Sequence, residues 1–279
     1  MKTRMIRTAA AAGTLAAASL VSMSTALAQD PWAFSANIGA VSNYIWRGVT
    51  QTGDGAAIQG GLDVSHESGF YVGTWASNID WDDGAQDVST DVSGYVPVDP
   101  VTGMPETDAD GNWVVVGTGE GSTGGDASPN YELDLYAGYD YAVNDDLSFG
   151  ISGIYYAYPD GRESDFAEVG LSGSYKWFTA GVAYTVWGEQ DSDSPFSDGD
   201  LYYYGSIDVA LPYDFGLSLR GGYYDFDTKD IGGVDYGHGG VTISKEAGDF
   251  GTFSFNYDQV ARDTYDDDPK FWVGWTKEF

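Results

Sequence analysis

The chain has 279 residues, 12 Lys and Arg against 43 Asp and Glu, a formal charge of −31 and no Cys. That acidity argues against nucleic acid or anionic lipid as a partner, and without Cys there is neither disulfide nor thiolate chemistry. Gly (39) and Tyr (21) are both abundant, and the aromatic content is too high for a disordered chain.

Residues 1–28 read as a secretory leader. Lys2, Arg4 and Arg7 form a basic start, residues 8–22 are small and apolar, and Ala26-Leu27-Ala28 is a small-x-small cleavage site. The mature part is then 29–279, with nine basic residues left. No later apolar run approaches the roughly 20 residues that a spanning helix needs.

From residue 33 onward, period-two alternation recurs in stretches of about ten residues, the length with which a tilted strand crosses a bilayer. It predicts twelve strands: 33–48, 56–66, 69–80, 130–141, 146–158, 166–175, 177–188, 200–211, 214–226, 234–245, 250–260 and 269–279. In the seventh, Phe178, Ala180, Val182, Tyr184 and Val186 share one face, opposite Thr179, Gly181, Ala183 and Thr185. In the eighth, Leu201, Tyr203, Ile207, Val209 and Leu211 oppose Tyr202, Tyr204, Ser206 and Asp208. The polar faces hold many small residues, which leave room in a lumen.

The connections alternate between short and long. All the short ones fall on one side, together with both termini, and all the long ones on the other. This asymmetry predicts an all-β fold: an antiparallel up-and-down transmembrane β-barrel of about twelve strands, with short periplasmic turns and longer external loops. Hydrocarbon satisfies no backbone polar group, so strands can span a membrane only when the barrel closes. Tyr44, Trp46, Tyr139, Tyr141, Tyr155, Trp187, Tyr223 and Trp275 are candidates for the interfacial aromatic girdles.

At the C-terminus Phe271, Val273, Trp275 and Phe279 lie at alternate positions. A last strand ending on an aromatic resembles the signal read by the barrel-assembly machinery, although Lys277 departs from the usual apolar residue.

Several stretches resemble the TorF family of porins from Gram-negative bacteria. They are Arg47-Gly48-Val49-Thr50-Gln51-Thr52, Ala57-Ile58-Gln59-Gly60-Gly61, Ser68-Gly69-Phe70-Tyr71-Val72-Gly73-Thr74-Trp75, Tyr131 to Tyr139, Ser174-Tyr175-Lys176-Trp177 and Lys277-Glu278-Phe279. The resemblance covers the mature chain except 82–129. It implies an outer-membrane location and a pore, and brings no catalytic residues and no cofactor.

Face parity turns Arg47, Arg220 and Lys270 inward, with Glu132, Asp134, Asp140, Asp208 and Asp258. On the lipid face an Arg or Lys at midplane costs roughly 2–4 kcal/mol, so these eight are the expected pore-lining residues. Rings of charge set ion preference, and five acids against three bases suggest a mild preference for cations. The alternative is that they pair and simply fill the interior of a structural or adhesive barrel.

The 82–129 segment carries ten carboxylates and no Lys or Arg, and reads as a long acidic external loop. Residues 107–112 resemble part of a calcium loop without its closing Glu, and the Gly111-Asn112 turn suggests a hairpin of 101–104 with 113–116. Divalent ions could join such loops to lipopolysaccharide phosphates. No nucleophile–base set, phosphate loop or metal motif points to an enzyme, and a hydrolase is the weakest reading.

Overall fold

In a computed structural model, residues 31–81, 94–95, 116–117, 129–161, 164–189, 196–227, 235–261 and 267–279 are described. The expected leader, most of the 82–129 segment and the partial calcium loop lie outside them.

Twelve antiparallel strands close on themselves. They are β1 (Trp32–Val41), β2 (Ala57–His66), β3 (Phe70–Asn78), β4 (Tyr131–Ala142), β5 (Leu147–Ala157), β6 (Phe166–Tyr175), β7 (Phe178–Gly188), β8 (Leu201–Leu211), β9 (Phe215–Asp225), β10 (Tyr236–Glu246), β11 (Thr252–Val260) and β12 (Lys270–Glu278). Each pairs with its chain neighbour, and β1 also pairs with β12 (Val41 opposite Gly274, Asn37 opposite Glu278), which closes the sheet and leaves no edge. The chain divides into two units. The barrel unit comprises 1–81 and 128–279; in the other, 82–127, Gly94 and Tyr95 pair with Gly117 and Val116. Val116 therefore pairs with Tyr95, not with the 101–104 stretch.

Eleven of the twelve strands lie within about two residues of their predicted ranges. The first does not: β1 stops at Val41, and the remainder of the predicted 33–48 strand leaves the barrel wall. Ile45–Trp46 pairs with Val49–Thr50 in a separate small hairpin, with Arg47 (φ 47°) and Gly48 (φ 88°) at its turn. A two-residue hairpin turn of type I′ needs positive φ at both central residues. Gly48 accepts this freely, whereas Arg47 adopts it against the Cβ–carbonyl clash, a cost of about 1–2 kcal/mol that surrounding contacts must offset.

The usual distribution of polarity is inverted. Phe255 is 52% exposed while its neighbour Asn256 is fully buried; Tyr203 is 45% exposed while Tyr202 is at 1%. The same alternation exposes Phe34, Ile38, Ile58, Leu62, Leu135, Ile151, Leu171 and Val273 on the outer wall. In water this belt would be strongly destabilising; against hydrocarbon it is the low-energy face. The wall then makes every ladder hydrogen bond internally, as a lipid environment demands.

The aromatic girdles form from only part of the expected set. At the long-loop end of the outer wall Tyr155 stacks on Trp187 with centroids 5.9 Å apart, and the Tyr155 hydroxyl donates to Asp165 (2.6 Å). At the short-turn end Tyr139 and Tyr141 are exposed, and Trp275 Nε1 donates to the Phe250 carbonyl (2.7 Å). Tyr44 and Trp46, by contrast, point inward and pack with the buried aromatics. Lys277 sits outward next to the C-terminus with Nζ 5.2 Å from the Phe279 ring, near enough to the barrel rim for its charge to reach water.

Inward glycines do not simply widen a lumen, as the small residues of the polar faces suggested. They accommodate inward tyrosines of the next strand. A Cβ at Gly73 would meet the Tyr136 ring at 2.5 Å, and one at Gly181 would collide with Tyr204. The rings lie flat across the neighbouring backbone and occupy interior volume.

Candidate functional site: a hairpin folded into the barrel

The segment 42–56 joins β1 to β2 at the long-loop end. Its apolar residues are turned inward: Tyr44 and Ile45 are buried, and Trp46 packs against the buried aromatics. Trp46 meets Tyr156, Phe166, Phe196 and Tyr224 with ring centroids 5.7–6.2 Å apart. Phe196 comes from the 189–200 loop, so two loops and the barrel wall share one aromatic cluster.

Arg47, at the tip of the hairpin, is wholly buried. Its Nη1 and Nη2 donate to the two carboxylate oxygens of Glu168 on β6, at 2.8 and 2.5 Å. The guanidinium carbon lies 4.0 Å from the Tyr202 ring centroid, 4.3 Å from Trp46 and 5.0 Å from Tyr224. A planar guanidinium suits both contacts at once, carboxylate in its plane and rings on its faces. Gly48 passes so close to β10 that a Cβ there would meet His238 Cβ at 2.6 Å.

A second anchor holds the base of the hairpin. The Tyr44 hydroxyl donates to Glu132 Oε1 (3.0 Å), and that of Tyr158 donates to Oε2 (3.2 Å). Burial, with Glu132 alongside, pushes both phenols well above their ordinary range, so they remain donors. A third contact is Lys270 Nζ to Asp54 Oδ2 at 2.7 Å. Across the mouth, Asp200 accepts from the amides of Phe196 (2.7 Å) and Asp227 (2.9 Å), tying two further loops together. Burial pushes the Asp200 carboxyl up to about 6, against the two amides that pull it down.

The eight expected interior charges are distributed as follows. Arg220, Glu132, Asp134, Asp140, Asp208, Asp258 and Lys270 stand on barrel strands, on faces turned inward. Arg47 stands on the hairpin rather than on the wall. Arg220 Nη2 donates to Asp258 Oδ2 (2.5 Å) and its Nη1 to Thr242 (2.6 Å), while Trp272 Nε1 donates to Asp258 (2.8 Å). Asp208 accepts from Ser206 (2.8 Å). Asp134 is buried, and its Oδ1 has no hydrogen-bond partner among the described residues. All three expected bases are thus ion-paired, two of them to acids, Glu168 and Asp54, that were not on the expected list. Face parity within 166–175 could have found Glu168: it is the only charged residue of that strand and shares the inward face with Ser172 and Ser174. His66 ends β2 and bonds Ser68; His238 lies on the inner wall 2.8 Å from the Tyr202 hydroxyl.

A closed antiparallel barrel of twelve strands, apolar outside and polar, ion-paired inside, has the architecture of the outer-membrane β-barrels. Residues 25–264 match a family described as a bacterial protein of unknown function (Gcw_chp), and the chain belongs to that family. Among solved structures, a KdgM porin is similar over 88% of this chain and 99% of its own, with a TM-score of 0.51 and 12% identity. A NanC porin is similar over 88% of this chain and 98% of its own, with a TM-score of 0.48 and 11% identity. At 12% identity the likeness to the KdgM porin is one of fold. No curated protein matches the chain.

Proposed function

We propose that the protein is a porin-like channel of the bacterial outer membrane, passing ions or small polar solutes, with its outer mouth closed by the 42–56 hairpin in the conformation described. The observation that carries this is the inverted alternation around a closed sheet: an apolar belt for lipid, and carboxylates, hydroxyls and amides turned inward. Resemblance to the TorF porins supports the same reading. Export by the 1–28 leader, assembly through the terminal Phe279 and association of the acidic external loops with lipopolysaccharide complete it.

With Arg47, Arg220 and Lys270 paired and Glu132 and Asp134 buried, Asp140 and Asp208 are left as half-buried interior carboxylates facing no described base, and these two give the passage its cation preference. Purified folded protein in a planar bilayer tests the proposal. Discrete conductance steps with a cation-selective reversal potential are expected; absence of current from both the unmodified chain and a hairpin-released variant would overturn it. The buried hairpin itself favours a second reading, a permanently plugged structural barrel, and that same silence would establish it.

A further inference from the structure

The surroundings of Arg47 form a binding site in their own right. Glu168 presents both carboxylate oxygens to one planar cation, with its side chain 1% exposed. Tyr202 and Tyr224 belong to the barrel wall, on β8 and β9, and cover the cation face at 4.0 and 5.0 Å. The strands that carry these three groups are paired independently of the hairpin, so their backbone positions are kept if it withdraws. What leaves is the guanidinium and Trp46. The wall would then hold a buried carboxylate, two aromatic faces and the nearby Asp134, whose Oδ1 has no partner among the described residues.

We infer that this cage is a recognition site for solutes bearing a guanidinium group, and that Arg47 occupies it as an internal ligand while the mouth is closed. The inference rests on the reading of the hairpin as a displaceable closure of a channel, and adds a substrate class to it. The geometry selects guanidinium over ammonium. Two in-plane N–H groups match the two oxygens of Glu168, and the delocalised plane stacks on the tyrosine faces; a compact ammonium has neither the parallel pair of donors nor a plane to stack. An incoming guanidinium offers Glu168 the same pair of hydrogen bonds that Arg47 now makes. Exchange therefore leaves no buried carboxylate bare.

The test is calorimetric titration of folded full-length protein in detergent micelles with L-arginine amide, and with L-lysine amide as the equally charged control. Arg47→Ala empties the cage. It should bind arginine amide at least about ten-fold more tightly than the unmodified chain does and about ten-fold more tightly than it binds lysine amide, the scale of one charged hydrogen bond. Adding Glu168→Gln should remove that gain. If Arg47→Ala does not fold, as judged by heat-modifiable gel mobility, Arg47→Met keeps the stem within the aromatic packing and takes its place. Equal binding of the two amides, or binding that survives Glu168→Gln, would overturn the inference. Calorimetry reads the cage without any current, so an absent conductance and an empty cage are separate results.

Discussion

Glu168→Gln is the sharpest perturbation of the closed mouth. It removes the charge opposite a guanidinium that is wholly buried, while the rings of Trp46, Tyr202 and Tyr224 remain. Breaking a buried ion pair by removing one partner costs about 3–5 kcal/mol, because the other charge is left desolvated. Cation–π contacts of up to about 2 kcal/mol already exist and do not grow to compensate. Water is available to Arg47 only if the hairpin swings out, so the penalty falls on the closed state and not on the barrel wall. A net shift of about 3 kcal/mol changes the open-to-closed ratio by about two orders of magnitude. Single-channel recording in symmetric potassium chloride measures that ratio directly as open probability. The variant should still fold, since none of the ladder pairings of β6 involves the Glu168 side chain. An open probability equal to that of the unmodified chain, in protein with normal heat-modifiable mobility, would refute the claim that this pair holds the hairpin.

Gly48→Ala should also favour the open mouth, since a Cβ there meets His238 at 2.6 Å and the residue sits at φ 88°; hairpin release would be read as protease cleavage within 42–56. Asp200 is held up to about 6 mainly by burial, so its protonated form is the one favoured by the closed loops. Closure is therefore strongest below the ordinary carboxylate range and weakens as pH rises through about 6, so open probability should rise across that window, and Asp200→Asn should abolish the step. Asp140→Asn together with Asp208→Asn should reduce cation selectivity, seen as a smaller reversal potential across a salt gradient, whereas Lys176→Gln at an exposed short turn should leave it unchanged.

The wall of the barrel was legible in the sequence because period two is a local property. In 200–211 the alternation of Leu201, Tyr203 and Ile207 with Tyr202, Tyr204 and Ser206 states which face meets lipid, and pairing with β7 and β9 follows that parity. The interior was less legible. Tyr44, Ile45, Trp46 and Arg47 read as the continuation of β1 because alternation cannot distinguish a spanning strand from a short inward hairpin. The usable signal was Arg47-Gly48 between two β-prone dipeptides, a turn that needs positive φ twice. Partner choice across the lumen was beyond reach of pattern reasoning: Arg47 and Glu168 are 121 residues apart, and only closure of the sheet brings β6 opposite the hairpin. Tyr204 was placed correctly on its face, but its lying over Gly181 depends on register between strands, which the single-strand pattern does not contain.

The central claim is that this sheet closes with its apolar face in lipid and its polar face enclosed. Because the chain has no Cys, single cysteines can be introduced along β11 at Phe253, Ser254, Phe255 and Asn256 and spin-labelled in protein reconstituted into lipid vesicles. Collision with oxygen, which concentrates in hydrocarbon, should be high at 253 and 255 and low at 254 and 256. Uniform oxygen access along the strand, or high access at 254 and 256, would contradict the account.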